Sequence, residues 1–186
     1  MRSMSRSMPQ LALIGLEEID LFFELARNGP GRGMIMEIGT FQGGSAMVFA
    51  LGSKSVGREK VYTVDPHKKY HDNLPESLTP FIQNVQKLGL DDWIIAIVST
   101  SEEVAKIWHE PIRLLFIDAL HDYDHVKQDF LLWEPHLVSG GVVALHDSTP
   151  SSTDTGPRRV VDEYLRTDKF TGLKTLGYTT WAVKME

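Results

Sequence analysis

Residues 34–45 read Met34-Ile35-Met36-Glu37-Ile38-Gly39-Thr40-Phe41-Gln42-Gly43-Gly44-Ser45, an apolar run entering a turn that carries three glycines. Ser45–Leu51 continues at helical spacing. A buried strand passed to a helix through glycine opens a wound α/β sheet, and glycine there lets backbone approach a ligand with no Cβ in the way. The spacing, Glu-x-Gly-x-x-x-Gly-Gly-Ser, differs from the Gly-x-Gly-x-x-Gly of dinucleotide binders. Glu37, Gly39, Thr40, Gly43 and Ser45 are therefore candidates to cradle a nucleoside-bearing cofactor. The plainer alternative is a turn that serves chain geometry alone.

The same alternation continues on both sides. Toward the N-terminus, Leu11–Ala26 carries apolar residues at helical spacing and stops at the breakers Asn28-Gly29-Pro30-Gly31. Toward the C-terminus come a strand at Val61–Asp65, a helix around Leu78–Leu88, a strand at Trp93–Val98, a helix at Glu102–Trp108 and a strand at Ile112–Asp118. Val126, Phe130, Trp133 and Leu137 share one face of the next helix, and Ser139-Gly140-Gly141 turns the chain into a fifth strand, Val142–Asp147. A helix at Arg158–Leu165 follows Pro157, and Leu173–Leu176 with Thr179–Val183 form a hairpin. Continuously apolar strands between amphipathic helices call for a parallel sheet covered on both faces, here with an antiparallel C-terminal edge.

Composition narrows the function. The 186 residues carry a formal net charge of −6 and no cysteine. The length suits one domain, expected over residues 11–186 behind a disordered leader at residues 1–10. No basic, aromatic-interleaved stripe suggests nucleic acid, and no apolar run reaches the roughly 20 residues of a membrane helix. A cytoplasmic protein with a small-molecule partner is expected, which leaves room for a homo-oligomer. Cysteine nucleophiles and thiolate metal sites are excluded.

Polar residues gather at the strand ends. Asp65 can accept hydrogen bonds from both hydroxyls of a ribose, or can simply cap a turn before Pro66. Ser101 can meet an adenine edge, or can be the N-cap of the helix that begins at Glu102. Asp118 and Asp147 end adjacent strands, so their carboxylates flank one crevice and suit Mg²⁺, with His146 tilting the set toward a transition ion. The pair can share an ion only if the carboxylates lie within about 6 Å. His121 can accept a hydroxyl proton near neutral pH. His125 completes a His-x-x-x-His pair whose zinc reading lacks a third ligand, and His67, His71, His109 and His136 read as surface residues. His67–Asn73 reads as a polar, flexible cover beside the crevice.

The glycine turn, Thr63-Val64-Asp65, the run Phe116-Ile117-Asp118-Ala119-Leu120-His121-Asp122-Tyr123 and the run Gly140-Gly141-Val142-Val143-Ala144-Leu145-His146-Asp147 together resemble the small class I S-adenosylmethionine-dependent methyltransferases. Within these the chain is similar to the branch of macrocin-type sugar O-methyltransferases and cephalosporin-hydroxylase-like proteins, over about Met34–Asp147. The resemblance implies a Rossmann-like fold and O-methylation of a small hydroxylated acceptor. It places S-adenosylmethionine on Glu37, Gly39, Asp65, Ser101, Glu102 and Asp118, a divalent cation such as Mg²⁺ on Asp118 and Asp147, and the general base at His121. One departure stands out: those enzymes show Glu-Asp where this chain has His146-Asp147, so the third ligand and the need for a metal stay open. A nucleotide-dependent dehydrogenase fits worse. A cofactor-binding protein or partner subunit that has lost catalysis is the alternative from another class.

Overall fold

The computed structural model describes residues 14–68, 76–150 and 155–186. The chain runs α1 (Leu16–Asn28), β1 (Met34–Ile38), α2 (Gly44–Lys54), β2 (Val61–Val64), α3 (Leu78–Lys87), β3 (Ile94–Ile97), α4 (Ser101–Ala105), β4 (Ile112–Ile117), α5 (Tyr123–Trp133), β5 (Leu137–Leu145), α6 (Gly156–Val160), β6 (Phe170–Leu176) and β7 (Thr179–Lys184). A π turn, Val161–Leu165, extends α6. The strands form one seven-stranded sheet ordered β3-β2-β1-β4-β5-β7-β6. β1 to β5 pair in parallel, and β7 runs antiparallel to both of its neighbours. This is the expected α/β architecture with its antiparallel C-terminal edge.

Two apolar cores lie on opposite faces of the sheet. One packs α1, α2 and α3 on Ile35, Leu114 and Phe116, with Phe22, Phe49 and Phe116 in mutual ring contact at 5.0–5.3 Å. The other packs α5, α6 and the π turn on Met36, Leu115 and Val143, around the buried indole of Trp133. Alternate residues of β1 and β4 supply both cores, which is why these strands read as unbroken apolar runs.

Three boundaries differ from expectation for local reasons. Leu137 stays buried but opens β5 instead of closing α5, because Pro135 has no N–H to continue a helix and a short 3₁₀ turn, Glu134–His136, intervenes. Gly140-Gly141 is not a turn before the strand. It lies within β5, where the register against β4 slips between Ile112 and Leu114 and Gly140 takes φ +75°. α1 begins at Leu16 behind an N-cap at Gly15, and Leu11–Leu13 lie outside the described residues.

The C-terminal carbonyls of α1 are met by side chains. Arg58 donates to Arg27 O and Gly29 O, and the buried guanidinium of Arg113 donates to Leu25 O and Ala26 O while pairing with Glu59. Burial, helped by the nearby Arg58 charge, lowers the pKa of Arg113 to about 9. Among the described residues no helix is long and apolar enough to cross a membrane. Residues 1–10, His71 and most of the expected cover, residues 69–73, lie outside the described residues.

Candidate active site

Backbone register assembles the site. Gly39 N–H donates to Val64 O, Asp65 N–H to Ile97 O, Asp118 N–H to Ile38 O and His146 N–H to Ile117 O. Each bond links the residue just past one strand to the end of its neighbour, so Gly39, Asp65, Asp118 and His146 stand in a row at the carboxyl edge. Ligands of wound α/β sheets bind at that edge. A crevice of about 710 Å³ opens there, walled by Gly39, Thr40, Asp65, Ser101, Glu102, Asp118 and His121 among others. Among the described residues three non-glycine positions with left-handed backbone, Phe41, His67 and Asp147, have φ of +47° to +49° and lie in strand-end loops around this edge. Such outliers concentrate where a fold positions functional groups.

Gly39 has φ +85°, and a Cβ there would lie 2.2 Å from Asp118 O, so the loop and the end of β4 touch backbone to backbone. Asp65 holds the loop in place: its Oδ2 accepts from Thr40 N–H and Phe41 N–H at 2.8 Å, and its Oδ1 accepts from His67 N–H at 2.6 Å. Asp65 also lines the crevice, with acceptor capacity beyond these three bonds. Gly43, Glu37 and Ser45, expected at the cofactor, are placed behind the loop and outside the crevice wall. Gly43 caps α2 at φ +85°, and the fully buried Glu37 accepts from the Ser45 hydroxyl at 2.5 Å. Burial pushes Glu37 up to about 8, although the Ser45 bond pulls the other way.

Beside the crevice, ligand atoms of Asp118, His121 and Asp147 lie within 4.8 Å of one another. This satisfies the limit of about 6 Å for carboxylates that share an ion. His121 Nε2 is 3.5 Å from Asp118 Oδ1 and 3.7 Å from Asp147 Oδ2. His146 Nδ1 is 3.4 Å and 3.3 Å from the same two oxygens, so two imidazoles, not one, face the pair. Burial alone would raise Asp118, but the imidazoles of His121 and His146 overrule it and hold it well below the usual range. Burial also opposes a charge on His146, yet Asp118, Asp147 and Glu18 push its pKa up to about 12.

On the opposite wall Thr100, not Ser101, is the N-cap of α4, accepting from Glu103 N–H. The Ser101 hydroxyl is thereby released to accept from the indole of Trp133 at 2.8 Å. Glu102 takes Lys106 and Gln128 as partners on the rim. Asp122 caps α5 and its carboxylate takes the ring of His125. His67, expected at the surface, is buried against Ser77 and Phe81 by its left-handed turn.

One residue escaped the sequence reading. Glu18 on α1 is 0% exposed and accepts from Tyr178 N–H, Thr179 Oγ1 and Gly15 N–H, with His146 Nε2 3.5 Å from its Oε1. It ties the first helix and the last hairpin to the strand-end cluster. The only trace in sequence is a glutamate three residues after a helix-capping position. Glu18→Ala strands the buried Thr179 hydroxyl, two part-buried backbone donors and one imidazole, and should cost about 3–5 kcal/mol of stability in urea unfolding. A loss under about 1 kcal/mol would show that these contacts are dispensable.

Comparison with known proteins follows the same outline. The model of a family described as a methyltransferase domain matches residues 36–148. An uncharacterized protein of Acanthamoeba polyphaga mimivirus is 28% identical over 120 residues, 60% of this chain and 50% of that protein, so the chain spans about half the length of that curated relative. Among solved structures, cofactor-bound Rv0187 from MTB matches with a TM-score of 0.74 at 17% identity, over 100% of this chain and 91% of that one. An O-methyltransferase from Bacillus cereus in complex with SAH matches with a TM-score of 0.69 at 18% identity, over 92% of this chain and 82% of that one. At these identities the structural matches establish the fold.

Proposed function

This chain belongs to the methyltransferase domain family, and we propose that it is a cytoplasmic enzyme that O-methylates a small hydroxylated acceptor with S-adenosylmethionine, over a single catalytic domain of residues 11–186. The observation that carries the proposal is the crevice of about 710 Å³ between Gly39, Asp65 and Ser101, with the Asp118–His121–Asp147 cluster at its side. Gly39 lets the loop pack directly on the end of β4, which shapes the crevice wall a nucleoside would lie against, and Asp65 offers an acceptor to a ribose hydroxyl. When bound, the cofactor supplies an electrophilic methyl on a sulfonium, and transfer needs the acceptor oxygen held in line with it. Thr40, Ser101 and Glu102 border the cofactor in this reading, while Glu37, Gly43 and Ser45 hold the loop from behind.

The cluster suits a divalent cation by its two carboxylates, Asp118 and Asp147, which lie within 4.8 Å of each other and of His121. His121 cannot be ligand and base at once. We assign it the proton, because its side chain is 31% exposed at the crevice, whereas that of His146 is 10% exposed. Asp118 and Asp147 would then hold the cation; His146, kept charged by Asp118, Asp147 and Glu18, could add its Nδ1 only by releasing a proton as the cation took over that charge, with Glu18 behind the ring. A cation held there would supply Lewis acidity to the acceptor hydroxyl, and His121 is placed to accept that hydroxyl's proton.

The test is incubation with methyl-labelled S-adenosylmethionine and a panel of glycosides and catechols, with Mg²⁺ or Mn²⁺ and then with chelator. The expected result is label in an O-methyl ether, at a rate that chelator lowers. Transfer that ignores chelator would remove the cation from the account and leave base catalysis. Tight binding of S-adenosylhomocysteine with no transfer to any acceptor would leave a cofactor-binding protein without catalysis.

A further inference from the structure

His67 is a buried histidine that no step above uses. Its side chain is 2% exposed, although the residues on either side of it, Pro66 and Lys68, line the crevice. Its backbone is left-handed at φ +49°, a conformation that is unfavourable for a residue with a Cβ. Such a conformation persists where the surroundings over-determine it.

Three contacts do so here. The His67 N–H donates to Asp65 Oδ1 at 2.6 Å, across Pro66. The ring Nδ1 lies 2.8 Å from the buried hydroxyl of Ser77. The ring also packs on Phe81 of α3, with centroids 5.5 Å apart. Ser77 holds the N-cap position of α3, yet its side chain makes no capping bond, and Glu76 accepts from the Thr79 N–H instead. The serine hydroxyl is thus turned away from its own helix and toward the histidine. Phe81 carries the brace further, since a Cβ on Gly43 would lie 2.7 Å from its ring. One helix therefore steadies both the turn after β2 and the glycine loop that Asp65 also holds.

We propose that His67 is a positioning residue for the cofactor ribose: its buried ring, pinned by Ser77 and Phe81, fixes the turn that directs the Asp65 carboxylate. The inference rests on Asp65 being the ribose acceptor. Without the ring as anchor, the backbone at residue 67 relaxes toward ordinary conformations and its N–H leaves Asp65 Oδ1. The carboxylate is then held from the side of the glycine loop alone. A group that must be ordered on binding holds its ligand less tightly than one already fixed.

The experiment is calorimetric titration of the full chain with S-adenosylhomocysteine and with its 2′,3′-dideoxy counterpart, which lacks both ribose hydroxyls. The wild type should prefer the parent compound by at least about 10-fold, the usual scale of a hydrogen bond to a charged acceptor. His67→Ala should bring that preference within about 3-fold while binding the dideoxy compound much as the wild type does. His67→Asn tolerates a left-handed backbone and can still pair with Ser77, so it should keep most of the preference. A purely structural role would weaken both compounds together and leave the preference intact, and that result would overturn the inference. An asparagine variant as indifferent as the alanine variant would overturn it too. If His67→Ala does not fold, Ser77→Ala decides: a smaller preference supports the inference, and an unchanged one in the folded protein overturns it. Equal binding of both compounds by the wild type would remove Asp65 from the ribose, and binding of neither would remove the cofactor site itself.

Discussion

His121→Ala should bind S-adenosylhomocysteine within a few-fold of the wild-type affinity and transfer the methyl group roughly 10²–10⁴-fold more slowly, the usual contribution of a positioned general base. The reason is placement. His121 stands on the loop between β4 and α5, with Nε2 3.5 Å and 3.7 Å from Asp118 and Asp147 and the ring open to the crevice. Its removal leaves Gly39, Asp65 and Ser101 untouched, so the two readouts separate: calorimetry reports the cofactor wall and single-turnover kinetics the base. An alanine variant that turns over at the wild-type rate would transfer the proton to another acceptor. A variant that loses cofactor affinity in proportion to rate would make His121 a binding residue.

Gly39→Ala should abolish cofactor binding, with affinity down by more than about 100-fold, and destabilise the fold. Two costs add at this position. An L-residue at φ +85° leaves the comfortable regions of backbone space, at roughly 1–2 kcal/mol. The new Cβ would also meet Asp118 O at 2.2 Å, a backbone atom that cannot swing aside. Relief requires either the loop or the end of β4 to move, and both form part of the crevice wall. Calorimetry with S-adenosylhomocysteine and a urea midpoint together check this. Binding at wild-type strength by Gly39→Ala would mean that the loop does not approach the cofactor.

How far these features could be read from sequence depends on whether they are local. Unbroken apolar runs such as Leu114–Ile117 announce buried parallel strands, and the pattern of strand, glycine turn and helix announces the winding. Strand neighbours then follow, so Asp118 and Asp147 could be brought together from their positions at strand ends alone. Ser101 shows the limit: serine before two glutamates looks like an N-cap, but Thr100 takes that position and Ser101 turns to Trp133. Glu18 shows a deeper limit. Its partners Tyr178 and Thr179 lie 160 and 161 residues away, and nothing in the helical pattern distinguishes a buried acid from its exposed neighbour Glu17. Likewise the slip of β5 at Gly140 is set by register against β4, a pairing that no local signal encodes.

The most direct test of the account is a crystal of the protein soaked with S-adenosylhomocysteine and Mn²⁺, with anomalous differences collected for the metal. The account predicts the ribose beside Asp65, the base against Ser101 and Glu102, and a manganese peak about 2.1 Å from a carboxylate oxygen of both Asp118 and Asp147. A nucleoside bound elsewhere, or a clean cofactor in the crevice with no anomalous peak between the two carboxylates at saturating Mn²⁺, would contradict it, the first at the cofactor site and the second at the metal.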